Sequence, residues 1–129
     1  MRFTVEKPEK DPVMTFVMMM LHSVTNAHIL HLQSKSYSQH MALGAFYEEV
    51  GDLMDAFIEA FQGKYGLLTA YKTDYELPTD PLVYMHQLKD DVEMLRRMKG
   101  FPQDSDLQNE VDNVSNLINT TIYKLTYLK

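Results

Sequence analysis

The chain has 129 residues, 45% of them hydrophobic, no cysteine, and a net charge of −6. That length buries one core and not two, the apolar share excludes a disordered chain, and the absence of cysteine excludes disulfides and thiolate metal sites. The negative charge argues against nucleic acid as the main partner, because phosphate affinity comes from clustered Lys and Arg.

Residues 1–10 read as an N-terminal arm in which Glu6 and Glu9, with Asp11 just beyond, offset Arg2, Lys7 and Lys10, unlike a signal peptide. The longest uninterrupted apolar run, Phe16 to Leu21, is far shorter than the roughly 20 residues that span a bilayer. The expectation is therefore no membrane contact and a cytoplasmic location.

A first helix opens at "DPVM", with Asp11 as cap and Pro12 at the first helical position. Val13, Phe16, Val17, Met20, Leu21 and Val24 recur at helical spacing, His28 and His31 continue the stripe, and the helix fades near Ser34 to Ser36. A second helix is expected from Ser38 to Gln62, stopped by Gly63. Its seam is Ala42, Phe46, Val50, Leu53, Phe57 and Phe61, widened by Leu43, Met54 and Ile58. Residues 63–79 show no clear period. A two-stranded excursion is conceivable there, but a long crossover reads better, and it would let the third helix run parallel to the second. The third helix starts at "TDPL" with Asp80 capping, buries Leu82, Met85, Leu88, Val92 and Leu95, and ends at Gly100. The fourth follows a Ser-x-x-Gln capping box, Ser105 to Gln108, with a seam of Leu107, Val111, Val114, Ile118, Thr121 or Ile122, Leu125 and Leu128. The whole reads as one all-α, four-helix domain over residues 1–129.

Arg96, Arg97 and Lys99 form the only tight basic cluster, and they sit where a helix end favours cations. The methionines, Met18 to Met20 among them, read as adaptable core filler, with no evident focus of Met and His. His22 and His86 read as surface or packing residues. Asn109, Asn113, Asn116 and Asn119 give the fourth helix a solvated side.

The second helix carries an unusual row. His40, Gly44, Glu48, Gly51, Asp55 and Glu59 follow one another at three- and four-residue steps and so share one face. Two glycines in such a row invite the close approach of a facing helix, because each costs about 1 kcal/mol in a helix interior. His40 and Asp55 lie about 22 Å apart along a helix rising 1.5 Å per residue. One chain cannot bring both to one ion, whose ligands lie about 2 Å away. Two copies packed antiparallel about a twofold near Glu48, touching through Gly44 and Gly51, would do so.

The run His28-Ile29-Leu30-His31-Leu32-Gln33, then His40, then Asp52 and Asp55-x-x-x-Glu59, resembles the Dps mini-ferritins. These are ferritin-like four-helix proteins with an iron-oxidation centre between two subunits. The resemblance implies a homodimer through the second helix, with His31 and His40 from one copy and Asp55 and Glu59 from its partner holding iron or another divalent metal. His28, Glu48 and Asp52 would be further ligands or support them. The pattern departs at Gly44, where the family carries an aspartate, at Leu32, where it carries Trp, and in a shorter loop before His40. "HLQ-K-Y--H-AL--FYE" is also similar to small ferritin-like proteins of tailed bacteriophages, which implies a host cytoplasm and a host or phage protein as a further partner.

Other readings stay open. For His28 and His31 the alternative is a pair of imidazoles packed at one end of a bundle, each satisfied by a backbone carbonyl or water. "EEVGD" (Glu48, Glu49, Asp52) also resembles the Mg²⁺-binding motif of MazG-type nucleotide pyrophosphohydrolases. The later Glu-x-x-Asp of that family is Glu110-x-x-Asn113 here. The remaining class is a non-enzymatic bundle acting through protein contacts or as an assembly component. No Glu lies three residues before any histidine, so the Glu-x-x-His signature of di-iron enzymes is missing.

Overall fold

The computed structural model describes residues 7–8, 10–72 and 76–129. Four helices account for most of them: α1 (Lys10–Gln33), α2 (Tyr37–Tyr65), α3 (Pro81–Leu95) and α4 (Ser105–Tyr127), with no strand among the described residues. Most of the N-terminal arm, and residues 73–75 of the crossover, lie outside them.

Each helix packs on two others, in the cyclic order α1, α2, α4, α3. Contacts at the ends fix the directions. Phe16, early in α1, meets Phe57, late in α2, with ring centroids 5.0 Å apart, so α1 and α2 are antiparallel. Lys64 at the end of α2 bonds Asp104 and Asp106 at the start of α4, so these two are antiparallel as well. Asn26, late in α1, donates to the hydroxyl of Tyr84, early in α3. Phe16 meets Phe101 just after α3 at 5.6 Å, so α3 opposes α1 and runs parallel to α2. The bundle is therefore two antiparallel hairpins joined by one crossover, residues 66–80. Travelling back along α3 takes about 22 Å for its 15 residues. The extended reach of the connection, about 3.3 Å per residue, covers this with ease.

The core consists of the expected seams, with Phe16, Phe46, Phe57, Phe61, Met20, Leu43, Met54, Met85 and Leu107 fully enclosed. Over Asp11–Gln33, α1 is long and apolar enough to pass for a membrane span, with a mean hydropathy of 1.4. Counting only uninterrupted runs missed this. In the fold, Val13, Phe16, Val17, Met20, Ala27 and Leu30 of that helix lie in the shared core.

Several boundaries differ from the sequence reading. Gly63 lies inside α2 and stops nothing. The terminator is Gly66 at φ +94°, a conformation open to glycine, whose N–H donates to the Gln62 carbonyl. The Gln62 side chain then accepts from Leu68 N–H and turns the chain into the crossover. Helix α1 begins at Lys10, so Asp11 sits in its first turn rather than capping it. Helix α3 ends at Leu95, short of Gly100, where the chain tightens into i→i−3 turns, Arg97 N–H donating to Met94 and Met98 N–H to Leu95. Arg96 keeps helical backbone angles, and its side chain brackets the next turn. Its guanidinium reaches Gln108 Oε1 at 2.8 Å and Asp112 at 2.6 Å.

The expected capping box at Ser105 and Gln108 does not form. Gln108 instead accepts from Arg96 and donates to the carbonyls of Arg96 and Pro102, tying both sides of the α3–α4 turn. Asp104 is the N-terminal flanking residue, but its carboxylate is taken by Lys64 and Tyr65. In α4, Thr121 takes the core position and Leu128 is exposed. The cap expected at Asp80 is present, accepting from Val83 N–H at 3.0 Å.

Candidate metal centre

Helices α1 and α2 are joined by a turn of three residues, 34–36, in which Ser36 accepts from Gln39 N–H and caps α2. A turn this short places the end of α1 against the start of α2, and His31 against His40. The two imidazoles stack with centroids 3.6 Å apart and planes 18° from parallel. His31 Nδ1–H donates to the His40 carbonyl at 2.6 Å, and His40 Nδ1–H donates to the His31 carbonyl at 2.8 Å. The second bond has a local cause: the last carbonyls of a helix lack intrahelical donors, and His31 lies in the last turn of α1.

A carbonyl only accepts, so both rings carry a proton on Nδ1. In the neutral ring that leaves the lone pair on Nε2. Metal-binding histidines commonly have this arrangement, with the non-ligating nitrogen held by a backbone carbonyl. The same bonds satisfy the rings as packing residues, in the way the structural alternative required.

Gly44 makes room for the pair. A Cβ there would lie 3.1 Å from His31 Cε1 and 3.2 Å from His31 Nδ1. Gly44 is buried, and the space beside it is filled by His31 of the same chain. Gly51, by contrast, has nothing within 4 Å of such a Cβ and faces open space. Tyr47 completes the cluster, stacking on His28 at 4.2 Å and meeting His31 edge-on at 5.2 Å. Sequence reasoning passed over Tyr47; its place one turn beyond Gly44 on α2 was the available signal.

One chain thus brings together His28, His31 and His40. Glu48, Asp52, Asp55 and Glu59 are exposed further along α2. Among the described residues no group of three or more His, Asp or Glu is arranged to hold an ion. One chain offers two imidazole nitrogens, on rings stacked nearly parallel, with no group of carboxylates arranged beside them. Nor does α4 add a carboxylate to Glu49: their shared groove is lined by Asn113, Asn116, Thr120 and Lys124, besides Leu53 and Leu117.

Comparison with protein families matches residues 31–125 to a family of unknown function, DUF5856. No curated protein and no solved structure matches the chain. The matched region takes in all four helices in whole or part, and every candidate ligand except His28. The chain belongs to the DUF5856 family of unknown function.

Proposed function

We propose that the protein binds a divalent transition metal, iron(II) by its resemblance to the mini-ferritins, at two symmetry-related sites between two copies of the chain. His31 and His40 of one copy would supply Nε2 donors, and Asp55 and Glu59 of the other would supply anionic oxygens. Hard carboxylate ligands would favour loss of one electron from the bound iron(II) to an oxidant from solution, dioxygen or peroxide, but with Gly44 where the mini-ferritins carry an aspartate that oxidation is weak or lost. The observation that carries this reading is the reciprocal pair of Nδ1–H bonds between His31 and His40, which leaves both rings with Nε2 as their donor atom. The single crossover adds support, since ferritin-type bundles are connected in this way. A cytoplasmic setting, where iron(II) persists, accords with it.

Charge makes the reading testable in an unusual way. Between residues 41 and 62, α2 carries Glu48, Glu49, Asp52, Asp55 and Glu59 and no Lys or Arg. Two such faces repel unless cations sit between them. Dimerisation should therefore require the metal. The experiment is anaerobic iron(II) titration with sedimentation velocity, on wild type and on two double variants, His31→Ala/His40→Ala and Asp55→Ala/Glu59→Ala. Neither variant alone should bind iron tightly or dimerise. A mixture of the two should recover a single site per mixed dimer, because each supplies what the other lacks. Full iron binding by the Asp55/Glu59 variant, or no recovery on mixing, would sink the proposal.

A second reading, a bundle that works through protein contacts alone, is favoured by one end of the molecule. Leu32, Tyr37 and Met41 are 67%, 79% and 51% exposed beside the histidines. Because α4 opposes α2, the exposed Tyr123, Tyr127 and Leu128 lie toward the same end. Association that survives removal of both ligand pairs but is abolished by Tyr37→Ser with Met41→Ser would favour this second reading.

A further inference from the structure

The outer side of the α2–α4 layer is divided in character and in charge. The two helices are antiparallel neighbours, and the bonds from Lys64 to Asp104 and Asp106 fix their register. Counting back from there at equal rise brings Met41 level with Leu128, so the start of α2 lies beside the end of α4. At this end Tyr37 and Met41 stand one turn apart on α2, and Tyr123 and Tyr127, 54% and 73% exposed, stand one turn apart on α4. All four point away from the core, which takes Phe46 and Val50 of α2 and Thr121 and Leu125 of α4. At roughly 200 Å² per side chain they leave about 500 Å² uncovered, the size that marks a binding patch. The charges at this end have one sign: Lys35, Lys124 and Lys129, with no Asp or Glu between residues 12 and 47 or beyond Asp112. The remainder of α2 is the reverse. Glu48, Glu49, Asp52, Asp55 and Glu59 meet no Lys or Arg before Lys64, which is already paired. Lys124 borders the groove beside Glu49, where the two halves join.

We infer that this face docks on the same face of a second copy running antiparallel, the tyrosine and lysine end of each over the carboxylate end of the other. A parallel stack would set carboxylates on carboxylates and lysines on lysines. Turning one copy end for end brings unlike charges together at both ends, and a single twofold axis makes both contacts at once. The partner is the chain itself because one chain carries both complementary halves. Two such patches supply about 1,000 Å² toward the roughly 1,600 Å² of a standard interface. Tyrosine suits the position, with a ring to bury and a hydroxyl to donate to a carboxylate. This pairing rests on the antiparallel arrangement of α2 proposed above, and the lysines and tyrosines are what set its direction. Glu48 still lies opposite Glu48 near the axis, so the lysines steer the encounter while cations at the centre hold it.

The test exploits a chain without cysteine. Ser38 and the exposed Ala56 lie on either side of Glu48 in α2, and neither is a proposed ligand. Full-length Ser38→Cys and Ala56→Cys proteins, mixed in equal amounts, are treated with a short bis-maleimide, in EDTA or in anaerobic iron(II). Cross-linking captures encounters too brief for sedimentation. The mixed product should exceed each like-paired product about tenfold or more, where chance gives about twofold. Lys35→Glu with Lys129→Glu, or about 0.5 M salt, should bring that ratio back to chance. Tyr37→Ser with Tyr127→Ser should lower the total yield. A mixed excess in EDTA that iron leaves unchanged would uphold the docking and sink the metal reading, whereas an excess that grows with iron would uphold both. Like-paired products in equal or greater amount, or no product above that of the urea-unfolded mixture, would overturn the docking whatever iron does.

Discussion

His31 and His40 hold each other by side chain and backbone at once: the rings stack at 3.6 Å, and each Nδ1–H bonds the other residue's carbonyl. The last turn of α1 is thereby stitched to the first turn of α2, and both imidazoles are held in a fixed orientation. Preorientation of this kind spares a metal site the entropy of ordering its donors.

The glycines of α2 should respond differently to the same change. Gly44→Ala gains about 1 kcal/mol of helix propensity but crowds His31, and overpacking of this sort costs about 1–3 kcal/mol. The expected net is a loss of up to about 2 kcal/mol in urea unfolding, with altered His31 and His40 imidazole resonances. Gly51→Ala meets nothing within 4 Å and should stabilise the monomer by up to about 1 kcal/mol. If α2 pairs with a second α2, Gly51→Ala should also weaken that pairing, which sedimentation would detect.

Acid should loosen the α2–α4 contact first. Hydrogen bonds from Lys64 hold Asp104 and Asp106 below the usual carboxylate range, and Lys64 is raised in turn by Asp106 and Asp104. A lowered carboxylate stabilises the fold above its unfolded pKa and loses that contribution as pH falls through the folded value. The raised Lys64 contributes below the usual lysine range and loses its share only in strong alkali. Stability should therefore be flat near neutrality and drop as pH falls below the usual carboxylate range, about 4. Lys64→Met should flatten the acid limb, and 1 M salt should do so in part, because the pair is solvent-exposed. An unchanged acid limb in Lys64→Met would show that the clamp contributes nothing.

Asn26 and Tyr84 make a pair for a double-mutant cycle. Asn26 is 5% exposed and donates to Tyr84 at 3.1 Å, while its Oδ1 is buried without a hydrogen-bond partner. Tyr84→Phe alone leaves the amide unmatched and should cost about 1–3 kcal/mol. Asn26→Leu with Tyr84→Phe replaces both groups by apolar ones of similar shape and should return stability to within about 1 kcal/mol of wild type. Additive losses in the double variant would contradict the coupling.

Gln108 should matter more than its half-buried position suggests. It bonds Arg96 through side chain and carbonyl, and the Pro102 carbonyl as well. Gln108→Ala should cost about 1–3 kcal/mol by stranding these groups. Ser105→Ala, at the position first taken for a cap, should be close to neutral by the same thermal-unfolding measurement.

Helical spacing carried most of the architecture, because apolar seams such as Phe46, Val50, Phe57 and Phe61 depend on a period that the backbone alone imposes. The crossover was legible from composition, and its directional consequence followed. Ends were less legible. Gly63 and Gly66 look alike in a sequence, and only the backbone angle at Gly66 distinguishes the residue that stops the helix. Gln108 was read as a local cap because capping boxes are local, whereas its real partners are Arg96 and Pro102 across a turn. The spacing of His31 and His40 suggested neighbours but not that each would bond the other's carbonyl. Gly44 was read as an opening toward another molecule, and its neighbour proved to be an imidazole on the preceding helix.

The crossover from α2 to α3 has a topological consequence. Because it joins two helices that point the same way, each antiparallel hairpin is a continuous stretch of chain, and every α1–α3 and α2–α4 contact lies between stretches. A single cut after the exposed Lys72 would leave two pieces, each a complete hairpin, clasped by the Phe16, Phe57 and Phe101 rings and the Lys64 ion pairs. The molecule is, in effect, a dimer of halves made from one polypeptide, and a nicked or split version should reassemble without the link.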